Sequence, residues 1–186
     1  HISHQRDVLF IKPELWLMID WLIPEDGDVH NYDALFQSLL PISLDERGFT
    51  VLGQRASLEL LPIPSDSLEL GVIQGQMEPI RRGWIYSANL RMEPMPTTVV
   101  SQRKAGLTCQ AYFLVPGKGS PRNAYVERIP TDEDMTISGR LKTEDGLSVE
   151  FVAQPKVGRR VGQGELATTS RLKAIVKGPA RHEIIE

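Results

Sequence analysis

The sequence predicts an all-β chain, a large antiparallel β-sandwich, on three observations. Short apolar runs recur along its 186 residues, with Gly, Pro, Asp and Asn separating them at short intervals, as strands and tight turns require. No window carries a convincing helical stripe of apolar residues. Thirteen prolines, among them Pro62, Pro64, Pro94 and Pro96, punctuate loops and sheet edges, where a missing amide N–H is tolerated. The length is that of one ordinary domain, 1–186, and 41% apolar against 24% charged residues is a globular composition.

Residues 7–11 and 15–23 flank Lys12-Pro13-Glu14, where proline presets a turn dihedral, so they read as a hairpin. Both runs are apolar at successive positions, the pattern of a strand pair covered on both faces. Pro24-Glu25-Asp26-Gly27-Asp28 is the next turn, and 30–40 a third strand despite its helix-like Asp33-Ala34-Leu35-Phe36. Further strands are expected at 49–52, 57–61, 68–73, 83–86, 97–102, 107–115, 124–129, 136–141, 147–153 and 172–176. The Gly-, Arg- and polar-rich stretch 156–169 reads as a mobile loop.

A net charge of −3 and a pI near 5.9 argue against a nucleic-acid footprint or a general attraction to polyanions. An acidic substrate would have to be held by locally arranged charge. Cys109 is the single cysteine, which excludes an internal disulfide and a CxxC site; its strand-like surroundings make it a buried small hydrophobe. No apolar run reaches the roughly 18 residues of a membrane span. The N-terminus is not a signal peptide and enters a strand almost at once, as an excised part of a longer chain would, with any export signal upstream. The common catalytic signatures (GxSxG, P-loop, HExxH, GxGxxG after a strand) are absent. Gly117-Lys118-Gly119-Ser120 has neither the glycine spacing nor the following helix of a phosphate loop and reads as a surface turn.

His4, Arg6 and Asp20 are the residues of chemical interest. A hairpin turning at Pro13 sets Arg6 opposite Asp20 and puts His4 on the same face, two residues along. One reading is an Arg6–Asp20 ion pair with His4 as a polar neighbour. The other is a metal site, with imidazole and carboxylate as ligands and His30, at the start of the next strand, as the third. Two imidazoles and a carboxylate suit zinc better than calcium.

The run His4-Gln5-Arg6-Asp7-Val8-Leu9-Phe10-Ile11-Lys12-Pro13-Glu14-Leu15-Trp16-Leu17-Met18-Ile19-Asp20 resembles the heparinase II/III pattern. There, a His-x-Arg strand passes through a Lys-Pro turn to an aromatic strand ending in Asp. His30-Asn31-Tyr32-Asp33-Ala34-Leu35-Phe36-Gln37 is similar to the segment that follows. Gly83-Trp84-Ile85-Tyr86-Ser87, Pro94-Met95-Pro96 and Tyr112-Phe113-Leu114-Val115-Pro116 resemble the later landmarks, in family order, over residues 1–116. The resemblance implies the C-terminal β-sandwich of a polysaccharide lyase, partnered by an upstream (α/α) toroid. Such enzymes cleave uronic-acid-containing polysaccharides, whether glycosaminoglycan or alginate, by β-elimination, in the periplasm or outside the cell. It further implies a His–Asp–His metal site, matched at its first two positions by His4 and Asp20, and a cleft histidine, for which His1 is the candidate. Gln37 stands where the third metal histidine would correspond. The toroid would supply the base, so the chain alone is expected to be inactive. The rival reading is a non-catalytic carbohydrate-binding or packing module with Trp16, Trp21, Trp84 and Tyr86 as its platform.

Overall fold

A computed structural model describes residues 1–86, 91–131 and 135–186. The strands, in chain order, are β1 (Ile2–Ile11), β2 (Leu15–Pro24), β3 (Val29–Gln37), β4 (Ile42–Asp45), β5 (Gly48–Leu52), β6 (Ala56–Pro62), β7 (Leu68–Ile73) and β8 (Trp84–Tyr86). They continue with β9 (Met92–Pro94), β10 (Thr97–Ala105), β11 (Thr108–Lys118), β12 (Tyr125–Arg128), β13 (Ile137–Lys142), β14 (Ser148–Ala153), β15 (Leu172–Gly178) and β16 (Arg181–Ile185). A single 3-10 turn, Gly164–Leu166, is the helical content of the described residues. The all-β expectation therefore holds. β4, β9 and β16 have no counterpart among the expected strands. β4 and β9 are only four and three residues long, and β16 opens on three polar residues. Ser87 of the Gly83 landmark lies outside the described residues.

All strand pairing among the described residues is antiparallel. A central six-stranded sheet runs β1-β2-β11-β6-β5-β4. One face packs on a five-stranded sheet, β12-β13-β14-β15-β16, through a core that includes Leu17, Trp21, Phe113, Leu141 and Phe151. The other face carries a smaller sheet, β3-β10-β7, through Met18, Phe49, Leu60, Val100 and Tyr112. The sandwich thus has three layers. β2 is apolar at successive positions because alternate side chains enter different cores.

β1 corrects the expectation for its hairpin. It is an edge strand with alternating burial, and no β1 residue belongs to the second core. Leu9 and Ile11 meet the five-stranded sheet, while Val8 and Phe10 on the opposite face are 59% and 40% exposed. The hairpin itself turns as expected, with Arg6 opposite Asp20 and His4 opposite Leu22. Gly117 and Lys118 complete β11 opposite Ser57 and Ala56, which explains their distance from any phosphate-loop geometry. The stretch 156–169 is also corrected: Val161 and Thr168 bridge to each other, and Val161 and Leu166 lie on Val152 and Ile175. Two apolar residues within a polar segment close the outer face of the five-stranded sheet.

Where the chain passes from the central to the five-stranded sheet, Glu59 is wholly buried. Its carboxylate accepts the backbone N–H groups of Arg122 (2.9 Å) and Ala124 (3.2 Å). The Arg122 guanidinium continues to Glu14 (2.8 Å) and Asp145 (2.8 Å), tying both sheets at the crossover. Phe113 is fully buried and meets Phe151 edge to face, with centroids 5.7 Å apart. Phe113→Ala should cost about 3–5 kcal/mol in urea unfolding, as a transfer loss plus a cavity between two sheets. Val8→Ala should stay within about 0.5 kcal/mol, as expected of an exposed position.

Candidate functional site

Asp20 interrupts an apolar strand at a buried position, and only 3% of it is exposed. A carboxylate so placed needs donors. Cross-strand pairing supplies Arg6, whose Nε donates to Oδ1 at 2.6 Å and whose Nη2 donates to Oδ2 at 2.8 Å. His4 Nε2 lies 2.8 Å from Oδ1. A carboxylate oxygen can only accept, so that contact places a proton on Nε2. The Arg6 and His4 side chains are about half exposed, so the carboxylate is buried and its donors face solvent. The bond to Asp20 raises the Arg6 pKa.

Behind this group, Tyr112 donates to Gln110 Oε1 at 2.6 Å, and Gln110 Nε2 donates to the Tyr32 carbonyl at 3.3 Å. Burial first, and the Asp20 charge second, push the Tyr112 hydroxyl well above its ordinary value; burial does the same to Tyr32. The Tyr32 hydroxyl is buried without a partner among the described residues. Together β1, β2, β11 and β3 enclose a cleft of about 240 Å³, lined by His4, Arg6, Asp20, Tyr32, Asp33 and Gln110 among others. It has room for one small anionic or hydroxyl-bearing group beside Arg6 and His4.

The other expected residues lie elsewhere. His30 binds Asp26 in the preceding turn (2.6 Å) and does not line the cleft. That hydrogen bond lowers the Asp26 pKa. His1 lies at the chain end with its side chain 69% exposed, 3.2 Å from Glu25. Gln37 donates to the Trp84 carbonyl at 3.5 Å. Asp33, although beside the cleft, is taken by Arg82 (2.7 Å) and Ser101 (2.6 Å). Among the described residues, no three His, Cys, Asp or Glu side chains converge. With the Arg6 cation occupying both Asp20 oxygens, this donor set does not fit zinc. The aromatic platform does not assemble either. Trp21 is fully buried, Trp16 stacks on Phe10 on the opposite face of β2 with centroids 4.6 Å apart, and Trp84 donates to the Gln76 carbonyl. Cys109 is half-buried against the first core, and desolvation pushes its thiol up, which suits an inert residue.

Tyr32, Gln110 and Tyr112 are site residues that sequence reasoning did not select. The available signal was Gln110, a lone amide in the apolar run of β11 at a buried position.

No protein-family model matches the sequence, and no curated protein matches it. Among solved structures, the fold is similar to a mutant of the heparan sulfate lyase HepC from Pedobacter heparinus, with a TM-score of 0.60 and 17% identity. The alignment covers 76% of this chain and 22% of that one, so this chain matches about a fifth of that enzyme's length. The likeness is one of fold. Among the described residues, no helix is long and apolar enough to cross a membrane.

Arg6→Ala should destabilise more than Asp20→Asn. The first strips a buried carboxylate of its bidentate partner, at about 3 kcal/mol. The second leaves a half-exposed guanidinium that water can solvate, at about 1–2 kcal/mol. Equal losses in urea unfolding would contradict this geometry. The raised Tyr112 pKa also sets a pH dependence. Above the unfolded tyrosine value of about 10, the unfolded chain releases a proton that the folded chain retains, so stability falls as pH rises. Tyr112→Phe should flatten that alkaline slope, read as unfolding midpoint against pH.

Proposed function

We propose that this chain is the β-sandwich domain of a heparinase II/III-like polysaccharide lyase. It forms one wall of a cleft whose proton-transfer groups come from an (α/α) toroid elsewhere in the polypeptide. The observation that carries this reading is the fold likeness to a heparan sulfate lyase over three-quarters of the chain. The ordered landmarks from His4 to Pro116 support it independently.

In β-elimination, a base removes the proton at C5 of the uronate, an acid protonates the departing C4 oxygen, and the carboxylate is neutralised so that C5–H becomes acidic. The contribution of this chain is positioning. Asp20 anchors Arg6 and His4 on β1, with the guanidinium edge and the imidazole Nδ1 presented outward. His1, on the same strand end, is the candidate cleft histidine. Polymers of this kind are too large to diffuse across a membrane, so the site of action is periplasmic or extracellular.

The test is a panel of uronate polymers, heparan-type and alginate included, read by the absorbance of the unsaturated product. The natural polypeptide carrying this chain should release product from at least one. The isolated chain should give none above a blank, because half a cleft supplies little proximity or alignment. Product from the isolated chain that His4→Ala abolishes would favour an independent enzyme. Failure of the natural polypeptide on every polymer would favour a carbohydrate-binding or packing module.

A further inference from the structure

We infer that the loop formed by residues 156–160 is a docking site for an acidic polysaccharide, separate from the His4–Asp20 cleft. Lys156, Val157, Gly158, Arg159 and Arg160 are all exposed, between the buried pair Gln154 and Pro155 and the buried Val161. Three cations thus fall within five consecutive residues, in a chain whose net charge is −3. None of the three forms an ion pair with a described residue, whereas Arg6, Arg47, Arg82, Arg122, Arg140, Arg171 and Arg181 all do. From Lys156 to Lys173 the sequence carries five basic residues (Lys156, Arg159, Arg160, Arg171, Lys173) and one acidic, Glu165, which lies beside Lys177.

The backbone of this loop is fixed. Gln154 Nε2 donates to the carbonyls of Arg159 (2.8 Å) and Ser170 (2.9 Å). Gly158 N donates to Thr169 O at 2.8 Å, and Val161 and Thr168 exchange two bonds at 2.9 Å. Gly158 takes a φ of 101°, a conformation that L side chains rarely adopt. Like charges held close on a fixed backbone repel one another, and an anion relieves that repulsion without a cost for ordering the loop. Guanidinium forks match the planar oxygens of a carboxylate or the tetrahedral oxygens of a sulfate. No Phe, Tyr or Trp occurs between residues 152 and 186 to stack on a base, which favours a polysaccharide over a single-stranded nucleic acid. The loop also reaches the free-edge strand: Gln5 Nε2 donates to the Pro155 carbonyl at 3.4 Å. A polymer bound there would run beside β1.

The choice of polyanion rests on the lyase reading, but the test reads binding and not product formation. Affinity of the intact chain for heparin, for a sulfate-free polyuronate and for single-stranded DNA is measured by calorimetry at several salt concentrations. The variant K156S/R159S/R160S is compared with R55S/R103S/K118S, which removes the same charge from exposed sites elsewhere. We expect the loop variant to lose about tenfold or more in affinity and about two to three from the slope of log K against log salt. The control variant should lose less than about threefold, and both should keep the parent unfolding midpoint. Preference between heparin and the polyuronate assigns sulfate or carboxylate as the recognised group. Equal losses in the two variants, no binding of either polysaccharide, or single-stranded DNA bound as tightly as heparin would each overturn the inference. None of those results bears on whether the natural polypeptide is a lyase.

Discussion

The central sheet is covered on both faces, and the rest of the molecule answers to that constraint. Strands β2, β11 and β6 carry apolar side chains in both directions, so each face needs a layer against it. The five-stranded sheet supplies one and the β3-β10-β7 sheet the other. A polar side chain in such a strand has no route to bulk water, and its partner must come from a neighbouring element. Asp20 recruits Arg6 and His4 from β1; Gln110 recruits the Tyr32 carbonyl from β3; Glu59 recruits the backbone of the crossover at Arg122 and Ala124. The chemistry of the molecule lies where the double-covered sheet is interrupted.

Much of this could be read in the sequence. The Lys12-Pro13 turn fixed a register that brought His4, Arg6 and Asp20 together, because a hairpin is a local structure with a period of two. The apolar run of β2 from Leu15 to Ile19 announced cover on both faces. For β1 the same inference failed, since an edge position depends on where the smaller sheet ends, which is a property of distant residues. His30 failed as a partner for a related reason. Its position at a strand start was legible, but Asp26, four residues earlier, captured it. The contribution of Gln110 became visible only once β11 lay beside β2, a pairing that joins residues about ninety apart in sequence.

The two charged regions differ in kind. Around Asp20 the charge is satisfied internally and its donors merely look outward, a geometry that holds shape. In the loop at 156–160 the backbone is satisfied internally and the charge is left over. The same residue type, arginine, serves as structure in the first and as surface in the second. The difference lies in whether a buried carboxylate stands opposite.

β1 has one further consequence, for solubility. It is one of the two edge strands of the central sheet, and its exposed or half-buried positions include His4 and Arg6. Charged residues along a sheet edge discourage the strand of another molecule from adding to it. Behind β1 stands β2, apolar on both faces from Leu15 to Ile19. Proteolytic loss of the first strand would leave most of the buried core in place, yet it would bare an adhesive edge and strand Asp20 without its counter-ion. The hairpin is therefore a sheath as well as a scaffold, since loss of β1 would leave β2 open to strand addition.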